Sequence, residues 1–392
     1  MAKLGEVCDF YAGTGFPNEY QGRVTGKYPF YKVGDISKNV LEGNRELKTC
    51  ANYVEEDVVQ KLKGSILPPK TIVFAKIGEA LKLNRRAITS CECLVDNNVM
   101  GIKAQNVRLN DEYLFYWLQN LNLSDYSEST TVPSVKKSRL QNIEINVSPL
   151  EEQEKVVSTL NKLSSLILAR KKQLSKLDEL VKARFVEMFG DVLLNSMQWP
   201  EKTLENMADI VSGITKGRKT AEADLQEVPY MAVSNVKDGY IDWTTVKTIL
   251  ATRQEIEQYR LMPDDILMTE GGDPDKVGRG AIIKVPLKNS IHQNHIFRVR
   301  LDEQEILPSF FAEYLRHQKA KRYFLGCAKQ TTGIASINMR QLRALPTLVP
   351  PLSLQKQFAA FVERVDQQKQ TVQQGLEKLE LMKKALMQEY FG

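Results

Sequence analysis

Two stretches of the chain repeat apolar residues at alternating spacings of four and three. From Val156 the steps reach Leu160, Leu163, Ile167, Arg170, Leu174, Leu177, Val181, Arg184 and Met188, and eight of the ten positions are apolar. From Phe358 they reach Val362, Val365, Lys369, Val372, Leu376, Leu379, Lys383, Leu386 and Tyr390, again eight of ten. A 3.5-residue period makes a narrow seam that seeks one partner helix, so the pattern predicts coiled-coil pairing. Segments 150–190 and 352–392 each follow a proline, contain no proline and only Gly375 as an internal glycine, and end in Phe-Gly. Uninterrupted helices are therefore predicted over both. The remainder carries short β-branched and aromatic runs ("YPFYKV", "TIVFAKI", "NIEINV") broken by Gly, Pro and Asn clusters, with one helical stretch near "DEYLFYWLQN".

The chain repeats itself in order. "NVSPLEEQEKVV" (146–157) meets "LVPPLSLQKQFA" (348–359), pairing Pro149/Pro351, Leu150/Leu352 and Gln153/Gln355 at an offset of 202. "LGEVCDFYAGTG" meets "LENMADIVSGIT", pairing Gly13 with Gly213 at 200, and "LPPKTIVFAKIG" meets "LMPDDILMTEGG" at 194. "NNVMGIK" meets "NHIFRVR" and "YLFYWL" meets "FFAEYL", both at 197, and "TTVPSVKKSRL" meets "TGIASINMRQL" at 202. An offset that drifts only by small loop indels marks a tandem duplication.

The predicted fold class is α+β. Two similar β-rich domains, 1–147 and 192–350, are joined by the long helices 148–191 and 351–392. Helix one leaves the first domain and enters the second, so helix two can pair with it only by running back, antiparallel. Roughly 40 residues at ~1.5 Å each give a helix pair ~60 Å long with an approximate two-fold axis across its middle. The alternative is that each helix packs on its own domain alone.

The formal charge of +6 permits nucleic-acid binding through local patches. Five scattered cysteines do not make a disulfide framework, "MAKLGEVCDF" has no signal-peptide core, and no run of 18 apolar residues occurs, so a cytoplasmic protein is expected. Cys91-x-Cys93 lacks zinc spacing, and His292 and His295 would face opposite sides of a strand, so no metal site is expected. No [DNS]-P-P-[YFW] tetrad, glycine-rich cofactor loop or G-x-x-x-x-G-K-[ST] is present, so chemistry is expected to come from partners.

Two similar, diverged domains at a fixed separation suit a target with two different half-sites, and half-site spacing on DNA is a geometric quantity. The order of parts, the P-L-x-x-Q opening each helix, the preceding S-I/V-x-x-x-x-L segment and the terminal Phe-Gly resemble the specificity subunit of type I restriction-modification enzymes. The resemblance implies a non-catalytic subunit with two target-recognition domains, each reading one half of a split, asymmetric DNA site. It also implies spacer helices that dock two methyltransferase subunits, with restriction (translocase) subunits outside. S-adenosylmethionine, and ATP with Mg for restriction, would then sit on those partners. A type IIB or related phage-defence methyltransferase system is the alternative setting. A self-contained methyltransferase or nuclease with a cryptic site, and a protein-binding scaffold, are rivals of a different class.

Candidate DNA contacts fall in three matched places. Ser134, as the N-cap of a short helix, with Lys136, Lys137 and Arg139, is twinned by Lys329, Thr331, Thr332, Ser336, Arg340 and Arg343. Hydroxyls and cations at helix starts suit phosphate oxygens. The loops "FAKIGEALKLNRR" and "MTEGGDPDKVGRG" offer Lys76, Lys82, Arg85 and Arg86, and Lys276 and Arg279, for phosphate or guanine. Thr14 and Asn18 oppose Lys216, Arg218 and Lys219, and Gln293 or His295 is expected either to pack or to supply one further contact. Ordinary capping and solvated turns are the competing reading of each.

Overall fold

The computed structural model describes residues 1–128, 132–218, 225–273, 276–331 and 333–392, without the side chains of Gln330, Thr331 and Ile334. Contacts divide the chain into two units, 1–172 with 373–392, and 173–372. Each unit therefore holds one lobe and parts of both long helices.

In the first unit, alternating and fully apolar runs form a four-stranded antiparallel sheet in the order Cys8–Ala12, Val99–Ala104, Ile72–Ala75, Arg86–Ile88. A three-stranded sheet places Tyr28–Tyr31 between Tyr53–Val54 and Leu94–Val95. Ala2–Lys3 pairs with Glu144–Ile145, closing the ends of the lobe on each other. The second unit repeats this plan: Ala208–Ser212, Ile296–Leu301, Ile266–Thr269, Gly280–Ile282; then Gln226–Met231 between Lys247–Ala251 and Ile291–His292; then Glu201–Thr203 with Pro346–Leu348. It also carries a small sheet, Gly271–Gly272, Ile334–Ser336 and Lys329–Thr331. The Gly13/Gly213 echo has a steric cause. A Cβ on Gly13 would lie 1.8 Å from the Asp96 carbonyl oxygen, and one on Gly213 would lie 2.0 Å from that of His292. Only glycine lets the strand end pass so close to the next loop.

The long helices are Leu150–Phe189 and Leu352–Phe391. Within the second unit Asp178 meets Lys369 (2.6 Å), Arg184 lies 5.8 Å from the Phe361 ring centroid, and Phe189 lies 5.6 Å from Phe358. One residue number climbs as the other falls, so the helices run antiparallel. The first unit shows the same sense: Lys171 meets Glu380 at 2.8 Å, while Val157 and Leu160 share a core with Met387.

The predicted seam is recovered through most of its length, with Leu160, Leu163, Leu177, Val181, Phe358, Val365, Val372 and Leu376 all buried. Ile167, Leu174, Val362, Leu379 and Leu386 are half-buried. The phase is wrong at the ends. Val157 and Met387 are buried where stepping by heptads selected Val156 and Leu386, and Phe185 and Phe189 are buried where it selected Arg184 and Met188. There the helix packs into a lobe core as well as against its partner, with Phe185 and Phe189 touching both Phe310 and Phe358, and an ordinary 3.6 period replaces 3.5.

Each helix is fastened to a lobe at both ends. Gln153, fully buried, accepts from Asn110 N (2.9 Å) and donates to the carbonyls of Arg108 (2.9 Å) and Ser148 (2.7 Å). Gln355, also fully buried, accepts from Leu307 N (2.8 Å) and donates to the carbonyls of Glu305 (3.2 Å) and Pro350 (2.8 Å). Asn110 and Leu307 are the N-caps of the lobe helices Asp111–Asn120 and Pro308–Arg316, so one amide satisfies a helix terminus that would otherwise lack partners. At the other end Phe391 packs edge-on against Tyr113 (5.1 Å), and Phe189 against Phe310 (4.7 Å). Asn120 and Trp199 donate to the last Phe carbonyls, Phe391 and Phe189 respectively.

Replacing Gln355 by Leu should strand a buried N–H and two carbonyls and lower unfolding stability by about 1–3 kcal/mol. Lys356→Ala, one residue on and exposed, should change it by less than about 0.5 kcal/mol. Urea midpoints at unchanged m-value measure both.

Candidate nucleic-acid interface

The loops singled out from the sequence gather at one edge of each four-stranded sheet. In the first unit that edge is fixed by the pairs Ala12–Met100, Ala75–Val99 and Phe74–Arg86. In the second it is fixed by Ser212–Phe297, Thr269–Ile296 and Met268–Gly280. Antiparallel pairing brings alternate strand ends to the same side, so segments distant in sequence emerge together.

The first edge is stitched by its backbone. Lys76 N donates to Asn98 O (2.8 Å), Val135 N to Lys76 O (2.9 Å) and Gly78 N to Pro133 O (2.8 Å). Lys136 and Arg139 are exposed and share Glu128, at 2.6 and 3.8 Å, and Lys137 sits 5.9 Å from the Phe10 ring centroid. Lys82 is paired with Glu79 at 2.6 Å in solvent. Lys76 and Arg85 are half-buried, with no side-chain partner among the described residues. Asn18 is exposed and accepts from Gln21 at 3.2 Å.

At the second edge Glu270 N donates to His295 O (3.0 Å) and Ile337 N to Glu270 O (2.8 Å). His295 Nδ1 donates to Glu270 Oε2 at 2.6 Å. Lys216, Lys329, Arg340 and Arg343 are exposed, with no side-chain partner among the described residues. Lys276 pairs with Asp273, and the Arg279 Nε is buried without a hydrogen-bond partner among the described residues. Gln293 accepts weakly from Val233 N at 3.4 Å, and Ser336 lies in the small sheet opposite Gly271 and Lys329. Lys219 and Thr332 lie outside the described residues, as does the side chain of Thr331.

Five expectations are corrected. Arg86 is only 4 % exposed and donates to the carbonyls of Asn84 (2.8 Å) and Leu121 (2.6 Å), so it braces the lobe. Desolvation pushes its guanidinium down to about 9. Arg218 holds Glu255 with two bonds of 2.6 Å and the Leu250 carbonyl at 3.2 Å, which commits it internally. That bond raises the Arg218 pKa and lowers that of Glu255. The Thr14 hydroxyl donates to Leu62 O at 3.1 Å. Ser134 is not an N-cap: the helix is Lys137–Gln141 with Lys136 before it, and in the second copy Asn338 caps Met339–Arg343. With five residues each, these turns sum too few peptide dipoles to attract a phosphate by that means. His292 and His295 do not share a strand either, because Ile291–His292 ends there and His295 lies in the following turn.

Sequence comparison adds an independent line. The family model described as "Type I restriction modification DNA specificity domain" matches residues 1–179 and again 197–381. The putative type I restriction enzyme MjaX specificity subunit of Methanocaldococcus jannaschii is 28% identical over 49% of this chain and 45% of its own length. The EcoKI specificity subunit of Escherichia coli K12 is 22% identical over 62% of this chain and 54% of its own. Those two alignments thus span about half of each relative, whereas the M. jannaschii MjaVIII specificity subunit aligns at 23% over 99% of this chain and 90% of its own. Among solved structures, the S subunit of a type I restriction-modification system from M. genitalium superposes at a TM-score of 0.55 and 17% identity, covering 100% of this chain and 95% of that one. A structure titled for complex assembly of the type I system gives 0.53 at 16%. At that identity the likeness establishes the fold.

Buried His292 generates a pH dependence. Desolvation lowers its pKa from 6.5 to about 4, so the unfolded chain binds the proton first as pH falls. Stability is complete above the unfolded value near 6.5 and is lost progressively toward the folded value, by about 3 kcal/mol in all. Denaturation midpoints should therefore fall between pH 6.5 and 5, and His292→Leu should flatten that limb.

Proposed function

This chain belongs to the type I restriction-modification DNA specificity family, and we propose from that membership that it is the non-catalytic DNA-recognition subunit of a restriction-modification complex. Each lobe reads one half of a split, asymmetric site. The paired helices set the preferred spacer and dock two methyltransferase subunits, to which restriction subunits are added. S-adenosylmethionine, and ATP with Mg, bind those partners and supply the chemistry.

The observation that carries this reading is one scaffold used twice with different side chains on the same edge. Strand order, registers and backbone stitches repeat between lobes. The residues presented there do not: in the aligned copies Lys76 corresponds to Glu270, Asn98 to His295, Phe16 to Lys216 and Asn18 to Arg218. A duplicated enzyme would keep its reactive groups in both copies, whereas a reader of two different half-sites must vary them. Lys76, Arg85, Lys136, Lys137 and Arg139 in one lobe, and Lys216, Lys329, Arg340 and Arg343 in the other, are the cations placed to meet phosphate or guanine. Asn18, Lys82, Lys276, Arg279, Gln293 and His295 stand beside them.

Expressing the chain with its methyltransferase partner and mapping methylated adenines across a genome should give a bipartite, non-palindromic motif. A contiguous palindrome contradicts the proposal, and S-adenosylmethionine binding by this chain alone favours a self-contained enzyme. Affinity should fall steeply with salt, and R340A/R343A should lower the slope of log K against log salt by about 0.9 per lost phosphate contact without altering the motif. One heptad added between Lys171 and Asp178, and one between Lys369 and Glu380, should lengthen the preferred spacer with both half-sites unaltered. An unchanged spacer rejects the ruler role.

A further inference from the structure

Position 76 of the first lobe and position 270 of the second occupy the same place in the two scaffolds. Each follows the strand that stands third in the order across its four-stranded sheet, Ile72–Ala75 or Ile266–Thr269. Each N–H donates to the carbonyl of the 98/295 turn, at 2.8 and 3.0 Å, and each carbonyl accepts from the 135/337 segment, at 2.9 and 2.8 Å. Both backbone groups are thus used identically, and only the side chain differs. In one lobe it is an ammonium with no partner among the described residues; in the other it is a carboxylate. Reversal of charge at a fixed backbone position, at the centre of the loop-bearing edge, is what a selector needs.

The carboxylate is the informative member. Glu270 lies at an edge with Lys329, Arg340 and Lys216, and a negative group opposes binding to phosphate. Its hydrogen bond with His295 occupies Oε2 at 2.6 Å, and Oε1 carries no bond among the described residues. The glutamate side chain is one-third exposed (33%) and the histidine more than half (56%), so the pair is not a buried structural bridge. The histidine holds one carboxylate oxygen and leaves the other as an acceptor on a partly exposed side chain. An acceptor-only group recognises an exocyclic amine, and in the major groove a carboxylate pairs with cytosine N4, while a lysine pairs with guanine O6 and N7.

Resting on the functional reading above, we propose that this shared position selects bases: Glu270 accepts from a cytosine amine in one half-site, and Lys76 donates to a guanine in the other. His295 is the positioning residue for Glu270.

Selection from a randomised duplex library by the full-length chain, in complex with its methyltransferase subunits, tests this. Glu270→Lys should replace a cytosine preference by guanine at one position of one half-site. The isosteric Glu270→Gln, which keeps the fold, should relax the preference there by on the order of ten- to a hundredfold. Lys76→Gln should do the same for a guanine in the other half, and His295→Ala should weaken the cytosine preference, while His295→Gln, which keeps a donor for Glu270, should retain part of it. In every case the untouched half and the spacer keep their wild-type preference. A split wild-type motif that none of these substitutions moves overturns the inference alone. A wild-type complex that selects no split motif overturns the functional reading and this one with it.

Discussion

A single buried amide governs how each long helix meets its lobe. Gln153 and Gln355 are fully buried, and each spends both its oxygen and its nitrogen on backbone groups left over where chain segments end. An N–H or carbonyl stranded there without water costs about as much as several surface ion pairs together contribute, so polar satisfaction constrains how each helix leaves its lobe. The aromatic hook at the far end, Phe391 on Tyr113 and Phe189 on Phe310, then locates each helix terminus on the lobe helix of its own unit. Antiparallel pairing is the arrangement in which all four fastenings can be made in one chain.

Much of this was legible because the residues that echo across copies are the ones with no substitute. Gly13 and Gly213 pass too close to a carbonyl for any Cβ. The two glutamines and the two terminal phenylalanines recur for equally specific reasons, and a one-sequence comparison finds them without an alignment. What the echo did not reveal was their purpose. Gln153 and Gln355 were visible as a repeated letter, yet their partners lie 43 to 50 residues upstream or just before the helix, which periodicity does not encode.

The interface was legible as a set of loops and less so as a set of side chains. Charge counted along the chain ignores pairing, and Arg218 with Glu255, 37 residues apart, looks like a free cation until the fold joins them. Arg86 likewise sits in a basic run but points into the lobe. Glu270 was passed over because an acid is an unpromising DNA contact until its backbone proves interchangeable with that of Lys76. Structure and divergence thus occupy separate layers: the same backbone bonds recur at the edge of both lobes, and the side chains carried on them differ.

Thiol cross-linking in a cysteine-free background tests the helix arrangement most directly. With cysteines at 178 and 369, or at 171 and 380, a short bis-maleimide should link each pair within one chain, since Asp178 meets Lys369 and Lys171 meets Glu380 through side chains of that reach. Parallel helices would instead bring together residues related by the 202-residue repeat, such as 178 and 380. Efficient linkage of that pair, with none at 178–369, would contradict the account.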